Sequence, residues 1–502
     1  MNDSTLVHRI FNPRWMHRVL AGILVAGALA YGIFLARYVS PHAGGSDPSG
    51  YLNSARLLSQ GKSFAPARPL PGHDAMEFGE YSISPLGFKP GPSDRLAPTY
   101  PTGYPLHLMI AAGFGWERAT AVANILTALA SGFLLFAFCH KLGFNPWLSC
   151  CGVALLWSCP LFLYAVLLPM SDLAALCWSL AALYCALGAG SSWRQSFFCG
   201  VAAGIAVLVR PTNLLIIVPV LVAIGFRPRS WLAVGWGGLP GAVYFLLYNW
   251  RVYGSPLLTG YGDVSIEFKT AYLAQNVAAF THWIPVLLSP LVILTAVAPL
   301  VAVGRQRGLI ALLVWFLTLL GFYAFYSHAG ETWWYLRFIL PAFPALIVAV
   351  LAVLETLRRA APTRPGWALA VIAALLIFAF NWQLKQIRRL DVMHLERGER
   401  TYSEAARWAQ RNLPTNSVIF CMQVSGAFFY YTDFILFRWD MVDADRMPRL
   451  FSVLQQENRP VYAILYEFEE PRALERMGGQ WRPVVTIGNA TFWQLVSPRS
   501  EP

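Results

Sequence analysis

The chain has 502 residues, of which 56% are hydrophobic and only 13% charged, where a soluble domain carries roughly 25%. Together with a mean hydropathy of +0.48, this excludes a soluble globular protein, a disordered chain and a fibrous repeat. The net charge of +12 reads as loop charge that sets membrane orientation, and no basic stripe interleaved with aromatics points to nucleic acid.

Arg9, Arg14 and Arg18 precede the first apolar run, and no small-residue cleavage pattern follows near Arg37-Tyr38. The run is therefore read as a retained membrane helix, not a removed signal peptide. Apolar segments then predict about eleven membrane spans, since a crossing needs about 20 residues. They fall at 19–37, 119–140, 147–167, 172–189, 196–210, 213–226, 231–250, 282–304, 309–326, 338–357 and 367–384. The stretch 196–226 is ambiguous, because the part before Arg210-Pro211 is about 15 residues, roughly 22 Å as a helix. Counting it as two spans keeps Lys141, Arg194, Arg227, Arg229, Arg305, Arg307, Arg358, Arg359 and Arg364 on the side of the N-terminal arginines. The positive-inside rule favours that count. It gives a cytoplasmic N-terminus and a C-terminal tail outside the inner (plasma) membrane.

Two regions lie outside on this reading. The first loop, 38–118, is rich in Pro and Gly and holds Asp47; "GYLNSARLLSQG" (50–61) suits a helix on the membrane surface, and 104–115 is too short to span. The tail, 386–502, reads as a small α/β domain. It has a helix at 401–414 with Tyr402, Ala405, Ala406, Ala409 and Leu413 on one face, and strands at 417–424, 460–467 and 490–496. The division is a membrane domain over 1–385 and an extracytoplasmic α/β domain over 386–502. Seven of the eight cysteines sit in apolar runs or at their edges, and all read as packing residues, without disulfide or zinc spacing.

Charged groups at membrane depth are expensive and so invite a functional reading. Asp47, Asp172, Arg210, Arg251, His328, Glu331 and Arg337 all fall at the outer ends of spans. A charged cluster built from several loops over an apolar body suits a lipid-borne anionic substrate. The phosphate would meet arginine, and a carboxylate would face the reacting group. Plainer roles stand beside these: Asp47 and Asp172 as helix caps, and Arg210 and Arg337 as interfacial anchors. Trp333-Trp334 reads as an interfacial belt or a sugar platform. His282 and His328 have no acid at ligand spacing, so no metal site is predicted.

The motifs "SDPSGYLNSARLLSQGKSF" (46–64), "YPTGYPLHLMIAAGFG" (100–115), "MSDLAALCW" (170–178), "GIAVLVRP" (204–211), "YNWRVYGSPLLTGY" (248–261), "LLSPLVILTAVAPL" (287–300) and "WWYLRFILPAFP" (333–344) follow in order. In that order, and with this topology, the chain resembles the GT-C superfamily of lipid-linked-sugar glycosyltransferases. The resemblance is nearest to the branch of aminoarabinose transferases, protein O-mannosyltransferases and rhizobial lipopolysaccharide-core transferases, and it spans nearly the whole chain. One departure is that Asp47 is followed by Pro48, where the family often has an acid pair. The resemblance implies a GT-C-type polytopic helical enzyme that transfers a sugar from a polyprenyl phosphate to a hydroxyl on a glycan, lipid or protein, with inversion. It implies Asp47 as general base, with Asp172 positioning the acceptor or the base. Arg337, Arg210 and Arg251 would hold the donor phosphate, and Tyr51, Tyr100, Tyr104, His328 and Glu331 would line the substrate. No cofactor is implied, although some relatives use a divalent cation. The partners are the lipid-linked donor, the acceptor and membrane lipids. A transporter or flippase of a lipid-linked substrate is the alternative, and it would call for paired inverted halves.

Overall fold

The computed structural model describes residues 13–301, 306–361 and 365–497. Arg9, Arg305 and Arg364, used above for orientation, lie outside the described residues. The first helix, α1 (Pro13–Leu35), leads to α2 (Ser46–Ser59), which opens the long first loop. That loop contains a three-stranded antiparallel sheet of β1 (Ala65–Pro66), β2 (Phe88–Gly91) and β3 (Arg95–Pro98), with β3 in the middle. It closes with α3 (Gly103–Ala111), the short segment expected not to span.

The apolar body follows: α4 (Trp116–Lys141), α5 (Pro146–Trp157), α6 (Pro160–Leu167), α7 (Ser171–Ala189), α8 (Trp193–Val209), α9 (Ile217–Ile224), α10 (Pro228–Tyr253), α11 (Leu273–Leu288), α12 (Arg307–Tyr323), α13 (Phe343–Ala360) and α14 (Pro365–Arg389). Among the described residues five helices are long and apolar enough to cross a membrane, or seven segments when two bent pairs each count once. This is fewer than the eleven read from the sequence, and the difference lies in shorter apolar helices of 10–17 residues such as Trp193–Val209 and Arg307–Tyr323. Two expected straight spans are corrected. The 147–167 segment bends by 61° between α5 and α6, and the 282–304 segment turns by 114° between α11 and the 3₁₀ stretch that follows it. In each case a proline opens the second half (Pro160, Pro290), where its missing N–H and its ring cannot continue a helix.

Small residues set the closest helix pair. Gly200 of α8 faces the backbone of α10 so tightly that a Cβ would overlap Val234 O, and one on Gly237 would overlap Phe197 O. Such small-residue seams let backbones approach where no hydrophobic drive between helices exists.

The tail folds as α15 (Leu395–Asn412), β4 (Val418–Cys421), α16 (Ser425–Tyr431), β5 (Ile435–Phe437), α17 (Met447–Gln456), β6 (Val461–Tyr466), α18 (Glu470–Met477), β7 (Gln480–Ile487) and β8 (Ala490–Ser497). The sheet order is β5-β4-β6-β8-β7, parallel from β5 to β6 and antiparallel beyond. Alternation along β4 divides the core. Val418 and Phe420 join one layer with Leu450 and Met477, while Ile419 and Cys421 join the other with Ala405 and Phe428. The first layer also takes in Leu70, Ala75, Phe78 and Ile83 of the first loop, so the loop and the tail share one core.

Candidate active site

The site forms where four segment ends meet. Asp47 stands in the first turn of α2 and Asp172 in the first turn of α7. Helix N-termini carry free N–H groups and positive potential, so acidic side chains are well accommodated at both positions. Pro48 is tolerated beside Asp47 because first-turn N–H groups have no helical partner. Arg210 ends α8. The following Pro211 forces it into extended backbone (φ −145°, ψ 116°), and the helix stops at Val209. Arg337 lies near the end of the 3₁₀ helix Trp333–Phe338.

The four charges pair crosswise. Arg337 Nη1 lies 2.7 Å from Asp47 Oδ2, and Arg210 Nη2 lies 2.8 Å from Asp172 Oδ1. Arg210 Nε donates to Ser171 Oγ at 3.3 Å, and the Tyr51 hydroxyl donates to the same oxygen at 2.8 Å. Both guanidinium groups sit over one face-forming ring: the Phe338 centroid is 5.2 Å from Arg210 Cζ and 5.3 Å from Arg337 Cζ. Arg337 Nη1 also reaches Met170 Sδ at 3.4 Å. Asp172 is 1% exposed and Asp47 22%, so Asp172 is sealed in while Asp47 keeps some access to solvent. Burial alone would raise Asp47, but Arg337, the Tyr100 hydroxyl and Arg210 outweigh it and hold the carboxyl below its ordinary value. Two buried donors, Arg210 Nη1 and Arg337 Nε, have no hydrogen-bond acceptor among the described residues, and Asp172 Oδ1 has no hydrogen-bond donor of good geometry. Buried guanidinium donors are normally satisfied, so these two stand available to a further acceptor.

The other expected residues divide. The Tyr51 and Tyr100 rings lie tilted against each other with centroids 4.8 Å apart, and the Tyr100 hydroxyl is 2.7 Å from Ser46 Oγ beside Asp47. Tyr104 meets Tyr51 edge-on, but its hydroxyl donates to Asn124 Oδ1 at 2.8 Å, away from the acids. Asn124 in turn donates to Val166 O and Leu168 O, which ties α4 to the α6–α7 turn. His328 and Glu331 pair at 2.7 Å on the rim and reach the centre only through aromatics. The His328 ring lies on Tyr335, which stacks on Phe338. Arg251 is exposed at the end of α10 and has no ion pair with Asp47 or Asp172. Trp333 is buried against Tyr164, while Trp334 is 38% exposed.

Sequence reading missed Ser171, Phe338 and Glu399. The first two adjoin Asp172 and Arg337 in the chain. Glu399 lies at helical spacing on the apolar face of α15 with Tyr402, Ala406 and Ala409, and an acid on an apolar face was the available signal.

No family model and no curated protein sequence matches the chain. The fold has solved counterparts. ArnT from Cupriavidus metallidurans, bound to undecaprenyl phosphate, superposes with a TM-score of 0.58 at 12% identity over 94% of this chain and 97% of that one. The Archaeoglobus fulgidus oligosaccharyltransferase AglB, in complex with an inhibitory peptide and a dolichol phosphate, gives 0.57 at 12% identity over 97% and 75%. Mycobacterial arabinofuranosyltransferase AftD gives 0.54 at 13% identity over 98% of this chain but 40% of its own length. The chain therefore has the fold of GT-C membrane glycosyltransferases, with a C-terminal sheet domain.

Proposed function

We propose that this chain is an integral-membrane glycosyltransferase that moves a sugar from a polyprenyl phosphate to a hydroxyl acceptor at the outer membrane face. The observation that carries this reading is the convergence of Asp47 with two half-buried arginines, each keeping one buried donor without an acceptor among the described residues. The fold shared with proteins solved with undecaprenyl and dolichol phosphates supports it. The lipid tail stays in the bilayer, and its phosphate accepts from Arg337 and Arg210. The acceptor oxygen attacks the anomeric carbon, the carbon–phosphate-oxygen bond breaks, and the electron pair leaves with the polyprenyl phosphate. Asp47 takes the acceptor proton as the new bond forms, a contribution of typically 10²–10⁴-fold. The leaving phosphate is a stable anion, so the arginines stabilise the developing charge and no general acid is essential. Asp172 holds Arg210 in place. Single displacement inverts the anomeric centre. Glycan, lipid and protein acceptors all fit this chemistry.

The test is transfer from a radiolabelled polyprenyl-phosphate sugar pool, in membranes with the wild type and Asp47→Asn at matched abundance. Label should reach a new product with the wild type and fall to near background with Asn. Equal transfer by both would overturn Asp47 as the base. A transporter or flippase would instead move labelled lipid across the membrane and form no new glycoside.

A further inference from the structure

The segment 40–46 links α1 to α2 and delivers Asp47, and it is gripped by the C-terminal domain. His42 Nε2 lies 3.1 Å from Glu396 Oε1, and its Nδ1 is 3.0 Å from Ser403 Oγ. The Ala43 N–H donates to the Tyr431 hydroxyl at 2.9 Å. Gly44 lies against the Glu399 carboxylate so closely that a Cβ would overlap Oε2. A Cβ on Gly45 would stand 3.5 Å from the Tyr402 hydroxyl. Glu399 Oε2 is cut off from solvent and has no hydrogen-bond partner among the described residues. A buried carboxylate oxygen without a donor is costly, and the transfer step does not use it.

We propose that Glu399 is a positioning residue for the base: its carboxyl, supplied by α15, sets the place and charge surroundings of the Gly44–Asp47 segment. The C-terminal domain thereby completes the active site. This rests on the reading of Asp47 as the base.

The groups that face Glu399 are Asp47 from α2, Tyr164 from α6, Tyr402 on its own helix, Tyr431 from α16 and Tyr466 from β6. His42, Glu396 and Arg400 form a separate network outside it. Burial pushes Glu399 up to about 7, the Gly45 N–H draws it down in part, and the Asp47 charge adds to the rise. Below neutrality the Glu399 carboxyl is then largely protonated. As it ionises, it adds a negative charge that has no ion pair among the described residues, and this charge repels the Asp47 carboxylate.

The experiment uses the full chain in liposomes that carry a polyprenyl-phosphate sugar, and it measures kcat and donor KM against pH for the wild type, Glu399→Gln and Glu399→Ala. Wild-type kcat should fall with a midpoint near pH 7, where Glu399 titrates. Glu399→Gln should lack that fall, and Glu399→Ala should lose on the order of ten- to a hundred-fold in kcat with donor KM unchanged. A Gln profile identical to the wild type, or an Ala variant as active as the wild type, overturns the proposal. Absence of transfer by every form would sink the glycosyltransferase reading instead, and thermal unfolding then decides the role of Glu399. Its folded value stands above the ordinary 4.5, so its stabilisation is present at low pH and lost as pH rises to about 7. Relative to Glu399→Gln, wild-type Tm should drop across that window. A pH-independent gap overturns the proposal.

Discussion

At the scale of single residues the paired charges make two predictions. On the proposed reading Asp47 is the base, and against the push of burial Arg337 holds its carboxyl below the ordinary value. A group lowered in this way stays charged as pH falls, so wild-type transfer should show no acid limb above about pH 4. A pH–rate profile with an acid limb between about 5 and 6 would contradict that ionisation. Arg337→Lys keeps the charge but loses the buried Nε donor, which has no acceptor among the described residues. Donor KM should rise by roughly ten-fold, because a point charge cannot copy a guanidinium fork. Unchanged donor KM in steady-state assays would remove Arg337 from phosphate binding. Asp47, Asp172, Arg210 and Arg337 were legible in the sequence, since charge at the end of an apolar run is costly without a purpose. Their crosswise pairing was not, because residues 47 and 337 meet only through tertiary packing. Arg251 had the same sequence context as Arg210 yet faces outward, since no proline redirects the chain at the end of α10.

At the scale of elements, the position of Arg210 depends on how α8 is seated. The glycine seam between α8 and α10 brings their backbones together. Gly237→Val should force the helices apart, lower the Tm and weaken transfer, whereas Gly235→Ala, with open space at its Cβ, should do neither. Thermal unfolding of both variants in detergent checks this. Most apolar helices were legible from hydropathy, but their bends were not counted, because a proline at a break reads equally as a span end or as a kink. The first-loop sheet was invisible for a different reason. Its strands have only two to four residues, carry proline and glycine, and show no alternation. In the tail, β4, β6 and β8 were legible from segments rich in apolar and aromatic residues, whereas β7 alternates weakly and is largely exposed.

At the scale of the whole molecule, the first loop and the tail were read as separate outer regions. They share a core in which Phe78 of the loop, 2% exposed, meets the Phe437 ring at 6.0 Å. Phe78→Ala should therefore cost about 3–5 kcal/mol and release the loop from the sheet, seen as faster proteolysis between 60 and 90. Proteolysis matching the wild type would mean that the loop holds itself. Sequence pattern assigns each region its elements, but not which elements pack together, since loop closure over more than 300 residues leaves no local trace. The union matters because Asp47 sits between the apolar body and this shared core. The central claim, that a lipid-borne sugar phosphate reacts at the Asp47–Arg337 pair, is tested most directly with purified protein in liposomes at single turnover. The quantity to follow is release of free polyprenyl phosphate from a synthetic polyprenyl-phosphate sugar, with acceptor present. The wild type should release it, and Asp47→Asn and Arg337→Ala should each lose at least about a hundred-fold in rate. Release at the wild-type rate by both variants would contradict the claim.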